Sequence, residues 1–541
     1  MRIIDWIVCW LIGFAASGTT TSWAAKDPFE EYYVRTQCGY TRFPSLCVDT
    51  LKGLGLGSGH GHQHVDLLSA LVNKTMFETK QMPISNFAKL SYHFISLEAQ
   101  HVRMATGYCH KVMKMSLKRL TQALEALKES PRKNKQDIQT WISAVLTFQQ
   151  ACKDSADAQA HSNVFMSRIS EKMTHLSQLS SNLLAFVNRI TGGTPKNNSN
   201  SRYPDGKQVF TSWVSTGADR KLLQATTIKA NAIVAKDGSG NYKTISEALQ
   251  GASGGARFVI YVKSGVYNEK IHINKDGITL IGDGKYSTII SGDDSVAGGA
   301  SLQSSATVAI TGDGFIARDI GFQNTAGPQG EQAVALIVAS DHSVLYRCSI
   351  VGYQDTLYAH TLRQFYRECD IYGTVDFIFG NAAAVFQNCN LVLRKPHTSS
   401  AYNVILANGR SGPGQNTGFS IQNCKITTAT DFSPVKHSYN SYLGRPWKEY
   451  SRSVVMQSTI DEAIAPRGWV EWPGSGSSIL GTLYFAEYSN VGVGAATAKR
   501  VQWSGFHVIG KEEAIKYSVG SFIAGTSWLP STGVTFISGL E

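Results

Sequence analysis

A chain of 541 residues exceeds what one hydrophobic core organises, so two or three domains are expected. Hydrophobic residues at 43% and charged residues at 17% supply material for packed cores and exclude a mostly disordered protein. The net charge of +11 is unevenly placed: residues 1–221 hold 26 Lys and Arg against 16 Asp and Glu, and residues 222–541 hold 25 against 24. A nucleic-acid binder would carry the excess on its functional domain, and the long C-terminal part does not, so no nucleic-acid partner is expected. The basic first half needs its own explanation.

The chain opens with Arg2 and a short apolar run from Trp6 to Ala16, followed by small residues around Ser22 and Ala24. That pattern predicts a secretory signal peptide over residues 1–25, with Asp5 keeping an uncleaved N-terminal anchor as the alternative. No later run approaches the roughly 20 apolar residues that a membrane span needs. Of nine cysteines, Cys9 lies in the leader and eight remain, an even number suited to bridges in an oxidising compartment. Asn73 and Asn197 head N-glycosylation sequons.

Residues 27–190 show apolar spacings of three and four in Val65–Met76, Leu117–Leu127, Ile138–Phe148 and Met166–Val187, which predict a helix bundle. His60, His62 and His64 alternate in a Gly-rich loop, where solvated side chains are expected rather than metal ligands. Residues 191–223 are polar and rich in Gly, Pro and Asn, as a linker is. The linker ends with the dibasic pair Arg220-Lys221, read as a processing-protease site.

From Ala232 onward short β-type runs alternate with Gly, Asn and Asp, for example Phe258–Val262, Thr279–Ile281, Thr288–Ile290 and Val454–Met456, which predicts an all-β domain over 224–541. Within it a unit recurs: Tyr346-Arg-Cys-Ser-Ile350, Arg367-Glu-Cys-Asp-Ile371, Gln387-Asn-Cys-Asn-Leu391 and Gln422-Asn-Cys-Lys-Ile426, with Ala317–Ile320 as a weaker copy. The cysteines are separated by 21, 20 and 35 residues. One strand–turn unit per ~20 residues, with insertions, predicts a parallel β-helix; a propeller, whose units are longer, ranks second.

Asp355 and Asp376 each lie seven residues after a repeat cysteine, so successive coils stack them about 5 Å apart. Two carboxylates that close cannot both ionise freely, and one pKa must rise. Such a pair suits ester hydrolysis, one carboxylate attacking while its protonated neighbour serves as acid, and it equally suits retaining glycosidic cleavage. Gln354 and Gln332 are candidate oxyanion donors, although Gln332 alone also fits a satisfied core amide. Arg445 has the planar fork to orient a carboxylate, with a structural ion pair as its competing role, and Trp447 has a face for sugar stacking. The same register places Cys369 and Cys389 within the Cα separation a disulfide tolerates. A third alternative is non-enzymatic: an inhibitor or wall-binding protein whose helical half does the work.

Six blocks carry a resemblance: Gly265-Val-Tyr-Asn-Glu269, Gln323–Gly327, Gln332–Leu336, Gly352–Tyr358, Gly373–Gly380 and Leu443–Trp447. In order and wording they resemble the plant pectin methylesterases made with an N-terminal inhibitor-like pro-region. The resemblance implies a right-handed parallel β-helix preceded by an all-α four-helix bundle. The implied activity is hydrolysis of galacturonate methyl esters in cell-wall pectin, without cofactor or metal, by a secreted, processed monomer of the cell wall that its pro-region inhibits. It implies Asp376 as nucleophile, Asp355 as acid then base, Gln354 and Gln332 as oxyanion site, Arg445 orienting Asp376, and Trp447 and Trp469 lining the sugar cleft. It also implies a Cys369–Cys389 bridge, leaving the pairing of Cys348 and Cys424 open, and bridges Cys38–Cys47 and Cys109–Cys152 in the helical half. Leu302 stands where such relatives have a Thr.

Overall fold

The computed structural model describes residues 28–54, 64–82, 97–160, 163–190, 229–252, 257–398, 401–474 and 476–541. The leader, the linker with Arg220, Lys221 and Asn197, and the loop residues His60 and His62 lie outside the described residues.

The first half is helical: α1 (Pro28–Cys38), α2 (Pro44–Gly53), α3 (His64–Lys80), α4 (Leu97–Glu129), α5 (Lys135–Ala160) and α6 (Val164–Asn188). The long helices outrun the apolar periods that announce them, and α4 reaches 33 residues, because the stretches between those periods are rich in good helix formers. Asn163 starts α6 by accepting hydrogen bonds from the amides of Phe165 and Met166, two donors the first turn would otherwise leave unpaired. Disulfides tie α1 to α2 through Cys38–Cys47 and α4 to α5 through Cys109–Cys152, with Cα separations of 5.6 and 4.8 Å. Both bridges match the expected pairing. His64 stacks on Phe186 and bonds the Phe186 carbonyl through its ring at 2.8 Å, a structural role. Asn73 is exposed on α3.

The second half is a parallel β-helix. Its strands form three parallel sheets of 11, 7 and 8 strands, and each full coil gives one strand to each sheet. The coil 343–346, 349–351 and 357–359 is followed by 363–367, 370–373 and 378–380, then by 383–387, 390–393 and 403–408. Ser349, Asp370, Asn390 and Lys425 are successive register partners, so the four repeat cysteines, one position earlier, stand above one another. The residue before each cysteine makes the corner between two sheets: Arg347, Glu368, Asn388 and Asn423 all have left-handed φ between 51° and 56°. Asn tolerates that conformation, while at Arg347 and Glu368 it costs about 1 kcal/mol, offset by the aliphatic ladder that the corner aims inward. Ile350, Ile371, Leu391 and Ile426 form that ladder and are buried.

The expected Cys369–Cys389 bridge is not formed: Cys348, Cys369, Cys389 and Cys424 are all buried free thiols. The Cys369 thiol donates to the carbonyls of Leu345 and Arg367, and that of Cys389 to Tyr366 and Gln387. In-register parallel strands hold Cβ atoms at the strand spacing of about 4.8 Å with parallel Cα–Cβ vectors, wider than the ~3.8 Å at which bridged Cβ atoms sit.

The helical half packs against the turns leading out of the seven-stranded sheet, where Ala339 and Leu362 join Phe148, Val112 and Leu176 in one apolar cluster. Arg119 on α4, 1% exposed, bonds both carboxylate oxygens of Asp313 at 2.7 Å. Asp137 on α5 pairs with Arg363, which also grips Asp341. Asp154 pairs with Lys448 at 2.8 Å.

Candidate active site

Two coils and the strand Ser441–Pro446 build the site. The register Leu357 with Ile378 carries back two residues to Asp355 and Asp376, which occupy equivalent turns before their strands. Both have left-handed φ, 59° and 50°, held at a backbone cost of order 1–3 kcal/mol. Non-Gly residues held there by a surrounding ladder fit a preorganised site. The Asp355 amide donates to the Val375 carbonyl at 3.0 Å, locking one turn onto the other.

Arg445, paired in register with Ala407, reaches Asp376 with both arms of its fork: Nε to Oδ1 at 2.8 Å and Nη2 to Oδ2 at 2.6 Å. Its remaining Nη1 donates to the Tyr402 hydroxyl oxygen at 2.8 Å, and the indole of Trp472 lies 4.3 Å from the guanidinium carbon. The Arg445 orientation is therefore fixed from three sides.

The two carboxyl groups differ sharply in surroundings. Burial pushes Asp355 well above the usual carboxylate range, the neighbouring Asp376 charge pushes it further, and Arg445 opposes only weakly. Burial also raises Asp376, but the Arg445 charge and hydrogen bonds act directly against it. The pair's shared proton therefore belongs on Asp355, and the anion on Asp376.

Gln332 and Gln354 face one another as parallel bridge partners across neighbouring coils, both half-buried. The Gln332 side-chain oxygen is buried without a partner, leaving that amide uncommitted. Asp355, Asp376, Gln332, Gln354, Arg445 and Trp447 all line one cavity of about 530 Å³. Trp447 stands edge-on to Tyr358 and Phe379, which stack with centroids 4.3 Å apart, so the cleft floor is aromatic. Leu302 lines the same cavity.

Trp469 does not. It is fully buried, donates its indole N–H to Glu487 at 3.1 Å and stacks on Phe485 in the β-helix interior. The tryptophan that joins Trp447 in the cleft is Trp472. The run Gly468-Trp-Val-Glu-Trp-Pro473 offered both indoles; the buried neighbour of Gly444 is the first, and three residues on, past the end of the pairing, the second turns outward.

The helical half also enters this cavity. His101 and Met104 of α4 and Ala151, Asp154 and Ser155 of α5 complete its lining. The Asp154–Lys448 pair sits one residue from Trp447 and fastens α5 over the cleft.

A family model described as Pectinesterase matches residues 231–526, and one described as Plant invertase/pectin methylesterase inhibitor matches residues 32–186. The chain is 47% identical over 530 residues to probable pectinesterase/pectinesterase inhibitor 54 of Arabidopsis thaliana, covering 96% of each. It is 50% identical over 435 residues to pectinesterase 2 of Citrus sinensis, covering 80% of this chain and 81% of that one. The solved pectin methylesterase from carrot is 52% identical with a TM-score of 0.57, covering 58% of this chain and 100% of that one.

Proposed function

The chain belongs to the pectinesterase family, and from that premise we propose that its β-helix hydrolyses galacturonate methyl esters of pectin with Asp376 as nucleophile and Asp355 as acid and base. The observation that carries the assignment is the unlike treatment of two stacked aspartates, one clamped by Arg445 and one left to hold a proton.

An Asp376 oxygen attacks the ester carbonyl carbon. The oxyanion that develops is stabilised by the side-chain amides of Gln332 and Gln354. Collapse breaks the bond to the methoxyl oxygen, which takes the Asp355 proton and leaves as methanol. The acyl–Asp376 anhydride is then hydrolysed by a water that gives its proton to the Asp355 carboxylate, which restores both groups and frees the uronate. Asp376→Ala in the mature chain is expected to lower methanol release by at least 10³-fold, as removing a nucleophile does, in a protein that still unfolds cooperatively; near-parental turnover would remove Asp376 from the chemistry. Glycosidic cleavage by the same pair would appear as new reducing ends in that assay.

Because α4 and α5 complete the lining of the cleft, the uncut chain is silent, and cutting after the Arg220-Lys221 pair allows release of the helical half. The leader directs a monomeric, Asn-glycosylated enzyme to the cell wall. No helix among the described residues is long and apolar enough to cross a membrane.

A further inference from the structure

Away from the cleft, a groove of about 940 Å³ runs along the junction of the two halves. Arg132, Lys133, Lys135 and Arg189 face it from the helical side, and Arg452 and Lys516 from the β-helix; among the described residues lining it there is no Asp or Glu. Part of this charge is already engaged: Lys135 donates to the carbonyls of Asn188 and Ile190, Arg189 donates to Gln37, and Lys516 pairs with Glu513 just outside the groove. Arg132 and Lys133 are exposed and make no ion pair with a described residue.

The β-helix wall is less easily explained as a solvated surface. Arg452 is half-buried, its Nε is buried without a partner, and Nη1 reaches only the Thr417 carbonyl at 3.3 Å. Behind it Arg410, 5% exposed, is held by the carbonyls of Gln415, Tyr450 and Pro413 alone. Burial, with Arg452 adding to it, pushes the Arg410 pKa down to about 8. Neither guanidinium hydrogen-bonds a carboxylate, Glu513 acting on Arg452 only at longer range, and an anion in the groove that Arg452 lines would relieve that charge. The opening turn of α5, with Lys135, Gln136 and Gln139, adds the positive end of a 26-residue helix to the same wall.

We propose that this groove binds a de-esterified polyuronate segment whose carboxylates bridge the helical half and the β-helix. It rests on the proposed activity for one point only, that the reaction turns neutral esters into this anion. The groove thus selects product over substrate, because a methyl ester offers no charge to six cations. It also gives the excess positive charge of residues 1–221 a purpose, and product bound across the seam holds the pro-region in place.

The test uses the full chain with a fluorescently labelled, unesterified oligogalacturonate. Arg132→Glu with Lys133→Glu is expected to weaken binding at least tenfold and Lys516→Gln measurably, with melting temperatures unchanged. Raising ionic strength weakens the parent in parallel. The fully methyl-esterified oligomer should show no dependence on these substitutions. Parental affinity in the Arg132/Lys133 variant would overturn the proposal, as would equal affinity for sulfated dextran, which would reduce the groove to a generic polyanion patch. Methanol release by the mature enzyme is measured separately, so loss of the catalytic assignment leaves the binding result readable.

Discussion

Arg445 separates two aspartates that the coil repeat would otherwise make equivalent. Replacing it with Ala leaves the Asp376 carboxylate buried and unpaired, a loss of about 3–5 kcal/mol for such a pair. The measurable consequence is a mature enzyme slowed at least 100-fold, with its optimum moved to higher pH because the nucleophile must now be ionised without a counter-charge. Arg445→Lys keeps the charge without the fork and should fall between the two. Asp355 supplies a thermodynamic check. Its folded pKa is raised by burial and then by Asp376, so its contribution to stability is full below the unfolded value of about 3.9 and is lost as pH rises through the folded value. Asp355→Asn removes that loss. The melting temperature of the full chain should therefore match the parent near pH 4 and exceed it by a margin that grows as pH rises; a constant offset would contradict the raised pKa. At this scale much of the site was legible, because a seven-residue offset from two repeat cysteines placed both carboxylates. Trp472 was not, because two indoles three residues apart give no sign of which one follows the strand into the core.

The β-helix coil was legible as an element because its corner and its ladder both leave a mark in sequence: a left-handed residue, a cysteine, and an aliphatic residue two positions on. The free state of that cysteine column was not, since the Cα separation of neighbouring coils tolerates a bridge while the parallel Cα–Cβ vectors, which keep the thiols apart, leave no mark in sequence. Denatured without reductant, the mature fragment should titrate four thiols, from Cys348, Cys369, Cys389 and Cys424, and none while native. Two would restore a bridge. The glycines bounding the Gly373–Gly380 block are explained by the same geometry. At Gly380 φ is 122°, and a Cβ would lie 2.2 Å from the Ala359 carbonyl oxygen of the coil below. Gly380→Ala is expected to cost at least about 1–3 kcal/mol in an unfolding titration, since neither backbone can yield without breaking the stack that sets Asp376.

At the scale of the whole molecule, composition and periodicity divided the chain into a helical and a β part, yet nothing in them told where one sits on the other. The pairs that decide it join residues roughly 200 positions apart with no repeat behind them: Arg119 with Asp313, Asp137 with Arg363, Trp141 with Asp341. Arg119 is the most demanding of these. Burial works to lower its pKa and to raise that of Asp313, and the pair overcomes both penalties, leaving Asp313 below the usual carboxylate range and Arg119 raised. Arg119→Glu would instead set a carboxylate, at a position 1% exposed, against Asp313 with Asp341 and Asp276 nearby, leaving Lys118 to offset them. In a full chain whose Arg220 and Lys221 are replaced by Ala to prevent cutting, this reversal should open the seam and raise methanol release at least tenfold over the uncut parent. The mature enzyme lacks Arg119 and supplies the ceiling. Uncut Arg119→Glu that stays as silent as its parent, while remaining folded, would mean that the helical half is not held over the cleft by this seam.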